Sequence, residues 1–357
     1  MNRRRLLASG LAFAAAAPAF AQSPEDEFQG FLAAAEMKAA NAGISALTIA
    51  AARERLAYNP GLVRVAGADP EARRVGRYVQ SLLNGDGNKA KLKLAANPRL
   101  FDIEKSFGVP ASVLVAFWGR ESSYGADFGR LDVFSTLATM GVQRRGSTDW
   151  AAEYVAALQI VQSGARARAD LKGSAAGPPL PPEGRAWLRG GAWIKPVTLP
   201  PAFDLSLIEV EETALDAAGW AALGIRPDEA WDEADRASPA RLALPAGVSG
   251  PALLLLPNYD VFERYNPSRT YALGVGLLAR MIDGKPSVAW PEEAPISLTE
   301  RQLAQRALAA QGLYGGPIDG DLGSGSRRAV RRWQRSRGMA ADGYLTTDIV
   351  RALNPPG

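Results

Sequence analysis

Apolar residues recur at helical spacing through most of the first half of the chain, over residues 25–56 and 70–170, in stretches rich in Ala, Leu, Arg and Glu. "NPG" at 59–61 and "GDG" at 85–87 interrupt this pattern and predict breaks between helices. One predicted helix is apolar on most of its surface. After Pro110, suited to a first helical position, come Val113, Leu114, Val115, Phe117 and Trp118, with Gly125 placed to stop the helix. From 172 to 182 "KGSAAGPPLPP" cannot remain helical, and the extended candidates "WIKPVTLP", "RLALP" and "ALLLLP" follow it. Helix returns with "SRTYALGVGLLARMI", and "DGKPSVAWPEEAPIS" then has the prolines and low periodicity of a linker. The pattern predicts a mainly α protein of α+β class, in which a small sheet decorates a helical domain that ends at the linker.

Beyond the linker, "IDGDLGSGSRRAV" and "ADGYLTTDIVRAL" echo one another. Both read Asp-Gly-x-Leu, then Ser or Thr, then a helix, so the Asp-Gly makes a turn and the hydroxyl residue is placed to cap the next helix in each copy. A calcium loop at Asp319 and Asp321 fails on spacing, because its sixth position is Ser324 and its twelfth is Val330. The basic helix "RRAVRRWQRSRG" reads as a solvated arginine face around a core Val330 and Trp333 rather than as a nucleic-acid surface.

Composition narrows the chemistry. The first residues carry Arg3, Arg4 and Arg5, an apolar stretch and then Ala19-Phe20-Ala21, the pattern of an export signal with a mature start near Gln22. A periplasmic protein without stable membrane insertion after signal cleavage is the expectation, and the absence of cysteine excludes both a lipoprotein acyl site and disulfides. Of the formal charge of +4, three units belong to the leader, so no strong pull on polyanions is indicated. The chain also has no histidine. Serine–histidine triads and zinc sites built on His or Cys are excluded, and acid–base chemistry falls to Asp, Glu, Lys or Tyr.

Glu121 closes the apolar helix, with Phe117 and Trp118 one turn before it on its own side. Two readings stand: a surface glutamate at a helix end, or a carboxyl group whose proton is retained by an apolar pocket, as a general acid requires. Asp127 and Asp132, the nearest carboxylates in sequence, lie beyond the glycine break and read as structural.

"GVPASVLVAFWGRESSYG" together with "LLPNYDVFERYNPSRTYALGVGLLARMI" resembles the membrane-bound lytic transglycosylase B family of murein hydrolases in its soluble form, with "LPPAFDLSLIE" also family-like. The stretch from "QLAQRALAAQ" to "ADGYL" resembles the three-helix peptidoglycan-binding module often fused to such enzymes. The organisation implied is a signal peptide at 1–21, a lysozyme-like transglycosylase domain with a small β subdomain at 25–283, a linker at 284–297 and the binding module at 298–355.

The resemblance implies cleavage of the β-1,4 bond between N-acetylmuramic acid and N-acetylglucosamine, with the muramyl 6-hydroxyl closing a 1,6-anhydro ring. One glutamate, here Glu121, serves as acid and then base. Its partners are peptidoglycan glycan strands, with protein partners left open, and for this chain no nucleic acid, cofactor or metal is expected. The family's Tyr-Asn…Tyr cluster falls on Tyr265, Asn266 and Tyr271, where Tyr rings suit sugars and the amide an N-acetyl group; without the resemblance these residues could simply begin a core helix. Tyr78 aligns with an upstream tyrosine, and Ser174 with a site serine. The family's site glutamine has no counterpart, since Glu183 takes its position, and a cleft segment including the family's metal loop is expected to be missing. A weakly active or inactive peptidoglycan-binding protein that keeps the fold is the alternative.

Overall fold

The computed structural model describes residues 23–62, 74–127, 129–143, 148–173, 187–208, 213–266 and 268–355. The leader, Ser174 and Glu183 lie outside the described residues. In chain order the helices are α1 (Pro24–Asn41), α2 (Ala46–Arg53), α3 (Val75–Ala95), α4 (Arg99–Phe107), α5 (Ala111–Ser122), α6 (Val133–Gln143), α7 (Trp150–Gln162), α8 (Ala217–Ala222), α9 (Tyr259–Tyr265), α10 (Arg269–Ile282), α11 (Leu298–Ala310), α12 (Ser324–Ser336) and α13 (Thr347–Leu353). The strands are β1 (Leu131–Asp132), β2 (Lys172–Gly173), β3 (Ile194–Thr198), β4 (Ala214–Leu215), β5 (Arg226–Pro227), β6 (Ala240–Ala243) and β7 (Ala252–Leu255). They fall into two compact units, one of residues up to 63 with 131–172, the other of 64–130 with 173–357.

The first unit is helical. Ser23 and Asp26 form a reciprocal capping box that starts α1, with Pro24 in the first turn. The stripe Phe28, Leu32, Ala35 and Ala39 is fully buried among Phe134, Ala138, Tyr154 and Leu158. Arg168 ties the chain ends of this unit together: its guanidinium donates to the Asp132 carboxylate and to the carbonyls of Ala52 and Glu54, and lies 4.8 Å from the Phe134 ring centroid.

In the second unit α10 is buried from Thr270 to Ile282 apart from Met281, and it packs against α3 and α5. The expected break at "GDG" does not occur, for α3 runs through it unbroken. At Gly87 the absent side chain is what lets the helices meet, because a Cβ there would lie 2.4 Å from Cε of Met281. That close approach is the packing reason for a glycine whose mid-helix cost is about 1 kcal/mol.

The antiparallel sheet has the order β4-β6-β7-β3-β5, with Ile194 opposite Leu255 and Leu242 opposite Leu254. Central β7 is buried throughout, which explains its unbroken apolar sequence. Two cations, Lys195 of β3 and Arg280 of α10, are buried but paired: Lys195 Nζ donates to Asp232 at 2.9 Å, and Arg280 donates to Glu229 and to the Ile194 carbonyl.

The C-terminal three helices repeat one device. Gln305 accepts from the Gly320 N–H and donates to Asp319; Gln334 accepts from the Gly343 N–H and donates to Asp342. Gly320 and Gly343 have φ of 80° and 72°, as turns of this hand require. The expected hydroxyl cap holds only in the second copy, where Thr346 accepts from the Ile349 N–H; in the first, the N-cap is Gly323 and Ser326 instead donates to the Asp321 carbonyl. The arginine face is not wholly solvated either. Arg331 is buried and donates to the Leu205 carbonyl, and Arg327 donates to that of Leu244.

The proline-rich segment before the module has no regular secondary structure but is held in place. Trp290 is buried against Gly76, and Arg74 and Arg77 donate to the carbonyls of Ala294 and Glu293.

Candidate active site

The helix α5 starts one residue later than the sequence suggests, with Pro110 as N-cap, and the Ala111 N–H donates to Glu104. Its exit is unusual. Ser123, Tyr124 and Gly125 have φ of 50°, 62° and 79°, three successive left-handed residues of which two are not glycine. The turn is held from both sides. Ser122 Oγ donates to the Trp118 carbonyl and accepts from the Gly125 N–H, while the Tyr124 ring folds back over Gly119 and its hydroxyl donates to the Asp86 carbonyl. Glu121, in the last turn of α5, is therefore presented from a rigid exit.

Glu121 meets the α9–α10 junction. Tyr271, in the first turn of α10 and only 4% exposed, donates its phenolic O–H to Glu121 Oε1 in a short hydrogen bond. Burial raises the Tyr271 phenol far above its ordinary range, helped by its hydrogen bond to Glu121 and by that carboxylate's charge. Tyr265 at the end of α9 is pushed up to about 12, first by burial and then by the Glu121 charge. Both phenols thus keep their protons, and Tyr271 donates its own to Glu121. Their rings stack at 24° with centroids 6.2 Å apart, and Phe117 lies edge-on to Tyr265 at 4.7 Å and stacks on Phe262 at 5.3 Å.

Asn266 caps α9, and its carbonyl oxygen accepts from the Ser268 N–H at 2.9 Å. That bond fixes the amide orientation and leaves the NH2 group to donate to a carbonyl oxygen. Buried Asn258 anchors the other end of α9, accepting from the Leu188 N–H and donating to the carbonyls of Leu188 and Gly191.

The structure thus brings Glu121, Tyr265, Asn266 and Tyr271 into one region. Phe117 belongs to it. Trp118 faces elsewhere, packing edge-on to Tyr124 at 5.7 Å with Lys93 over its ring. Tyr78 is 6% exposed, too deep for a broad sugar-stacking face, and its hydroxyl accepts from Arg120 Nε at 3.2 Å. Asp127 accepts from the Gly129 N–H, and Asp132 caps α6 by accepting from the Ser135 N–H; both serve local structure. Two site features escaped the sequence pattern: the phenol donation to Glu121, and Arg120, hidden as an ordinary helix-end cation. The only sequence hint of the strained exit was a glycine, Gly119, inside an otherwise bulky run. Among the described residues no group of three or more Asp and Glu side chains stands close enough to hold a metal ion. No helix among them is long and apolar enough to cross a membrane.

A helical domain that presents a glutamate to paired phenols, joined to a three-helix module, has the construction of a peptidoglycan-cleaving enzyme. The chain belongs to the transglycosylase SLT domain family, whose model matches residues 27–178 and 183–280, and a peptidoglycan-binding domain model matches residues 297–353. It is accordingly a lytic transglycosylase acting on peptidoglycan, with a lysozyme-like fold and a C-terminal helical binding domain. SltB3 of Pseudomonas aeruginosa, solved in complex with NAG-anhNAM-pentapeptide, is 30% identical with a TM-score of 0.80, and the match covers 91% of this chain and 99% of that one. Its complex with NAG-NAM-pentapeptide matches equally, at 30% identity and a TM-score of 0.80 over 92% of this chain and 99% of that one. Escherichia coli SLT35 in complex with bulgecin A, at 17% identity and a TM-score of 0.54 over 72% of this chain and 92% of that one, shares the fold. No curated protein is a significant match to the sequence.

The strained exit generates a direct expectation. A Cβ at residue 119 would lie 2.5 Å from Cζ of Tyr124, so Gly119→Ala must displace that ring. Thermal and urea unfolding should show a loss of about 1–3 kcal/mol, the usual cost of overpacking. An unchanged stability would mean that the Tyr124 ring does not hold the turn.

Proposed function

We propose that Glu121 is the acid and base of this transglycosylase, and that the product is a 1,6-anhydromuramyl end. The observation that carries this reading is the donation of the Tyr271 phenol to Glu121 Oε1, with Tyr265 beside it. Protonated Glu121 gives its proton to the glycosidic oxygen as the bond from muramyl C1 to that oxygen breaks, releasing the N-acetylglucosamine 4-hydroxyl. The carboxylate left behind accepts from Tyr271, a donor already in place when the negative charge develops, with the Tyr265 phenol beside it. It then takes the proton of the muramyl 6-hydroxyl as that oxygen closes on C1. No water is consumed, and Glu121 ends protonated. The Asn266 NH2 group, oriented by Ser268, is suited to hold the acetyl carbonyl of the reacting sugar. The anhydro sugar bound by SltB3 supports the same outcome here.

Glu121→Gln keeps the shape and removes the transferable proton. Its turnover of purified sacculi should fall by about three orders of magnitude or more while sacculus binding persists. Mass spectrometry of the wild-type digest should show 1,6-anhydromuramyl ends. Reducing ends would make the enzyme a hydrolase, and equal yields from both proteins would remove Glu121 from the chemistry. The family match breaks between residues 178 and 183, where a cleft segment is expected to be missing, so a digest without products from either protein would favour the binding-protein reading.

A periplasmic location belongs to the same proposal, since the wall substrate lies there and the first residues read as an export signal. N-terminal sequencing of the exported protein should begin at Gln22, and a cytoplasmic chain retaining Met1 would contradict it.

A further inference from the structure

Arg120 stands immediately before Glu121 in the last turn of α5, and its guanidinium is exposed although one of its nitrogens is fixed. Nε donates to the Tyr78 hydroxyl at 3.2 Å, and the guanidinium carbon lies 5.9 Å from the Tyr78 ring centroid. Tyr78 is itself immobilised. Its ring packs on Gly274 of α10, where a Cβ would lie 2.6 Å from Cε1, and Gly274 is one turn along from Tyr271. The arginine is therefore referenced to the helix that supplies Tyr271 to Glu121. Among the described residues its two terminal nitrogens make no hydrogen bond or ion pair. Lys89 and Lys93 add positive charge at the same exit, over the Tyr124 and Trp118 rings.

A pre-positioned, permanently charged fork is built to take a carboxylate with two parallel hydrogen bonds. The hydroxyls and acetamides of a glycan give it no such partner, whereas the peptide carried by the muramyl residue ends in a carboxylate. We infer that Arg120 recognises a carboxylate of the muramyl stem peptide and so favours peptide-bearing over peptide-free strands at the site of cleavage. The inference rests on the reading of Glu121 as the reacting group, since it places the peptide-bearing sugar beside that residue. Tyr78 then acts as a positioning residue, holding the guanidinium without touching substrate.

Calorimetric binding in the full-length Glu121→Gln protein isolates recognition from turnover. The probes are N-acetylglucosaminyl-N-acetylmuramyl pentapeptide and the same disaccharide with its peptide removed, which leaves only the lactyl carboxylate. Adding Arg120→Ala should weaken the pentapeptide probe about 10-fold and the peptide-free probe markedly less, the loss expected for a charge-assisted hydrogen bond. Arg120→Lys should restore part of the loss, because it returns the charge but not the fork. Tyr78→Phe keeps the ring and removes the acceptor, and should weaken the pentapeptide probe in the same sense by a smaller factor. Equal weakening of both probes would reduce Arg120 to a structural partner of Tyr78. A larger loss for the peptide-free probe would assign the lactyl carboxylate, and no change, or no binding of the pentapeptide by the Glu121→Gln protein, would also overturn the inference. Should Glu121→Gln retain turnover in the product assay, the reading of Glu121 fails separately, and these affinities still report on Arg120.

Discussion

The burial of α10 is the constraint on which the catalytic part depends. With nearly every residue from Thr270 to Ile282 out of water, this helix has one packing solution, between α3 and α5. Glu121 at the end of α5 reaches Tyr271 at the start of α10, while Pro110 at the start of α5 and Asp283 just past the end of α10 line one cavity. The two helices therefore run antiparallel, and the carboxylate and phenol meet because the whole length of both helices is in register. Gly274 and Gly87 let α3 approach from the other side. A single phenol-to-carboxylate bond would be weak support for a geometry; a buried helix that admits no sliding is strong support.

Much of this was legible in the sequence where the signal is local. The helices of the first half, the strands β3, β6 and β7, and α10 all follow from periodicity, proline and glycine. Glu121 stands out because it ends an apolar run, and the Tyr265, Asn266 and Tyr271 cluster was legible only through the family resemblance, since no periodicity links residue 121 to residue 271. The failures have one cause. The glycines of "GDG" read as a break because nothing in the sequence says that Met281 packs on Gly87. The arginines of α12 read as solvated because nothing says that the carbonyls of Leu205 and Leu244 lie opposite them. Arg120 and Tyr78 are a pair only in three dimensions.

The binding module is likewise attached by specific polar contacts rather than by its connecting segment alone. Arg74 donates to the Leu345 carbonyl and lies over the Tyr344 ring, Tyr344 donates to Glu293, and Asp342 accepts from the Val248 N–H. Trp333 is 2% exposed and part of the module's own core, whereas Tyr344 lines a cavity together with Arg269, Leu273 and Val330. Many of these contacts pair a charged side chain with a backbone group, which fixes orientation while burying little apolar area.

The central claim is that Tyr271 acts on the charge that develops on Glu121, beyond shaping the site. Steady-state kinetics of Tyr271→Phe on a defined peptidoglycan strand tests it most directly, because the substitution keeps the buried ring and deletes only the donor. The account predicts a fall in kcat of about 100-fold with KM nearly unchanged, the mark of an interaction made in the transition state. A raised KM with unaltered kcat, or wild-type kinetics, would contradict it.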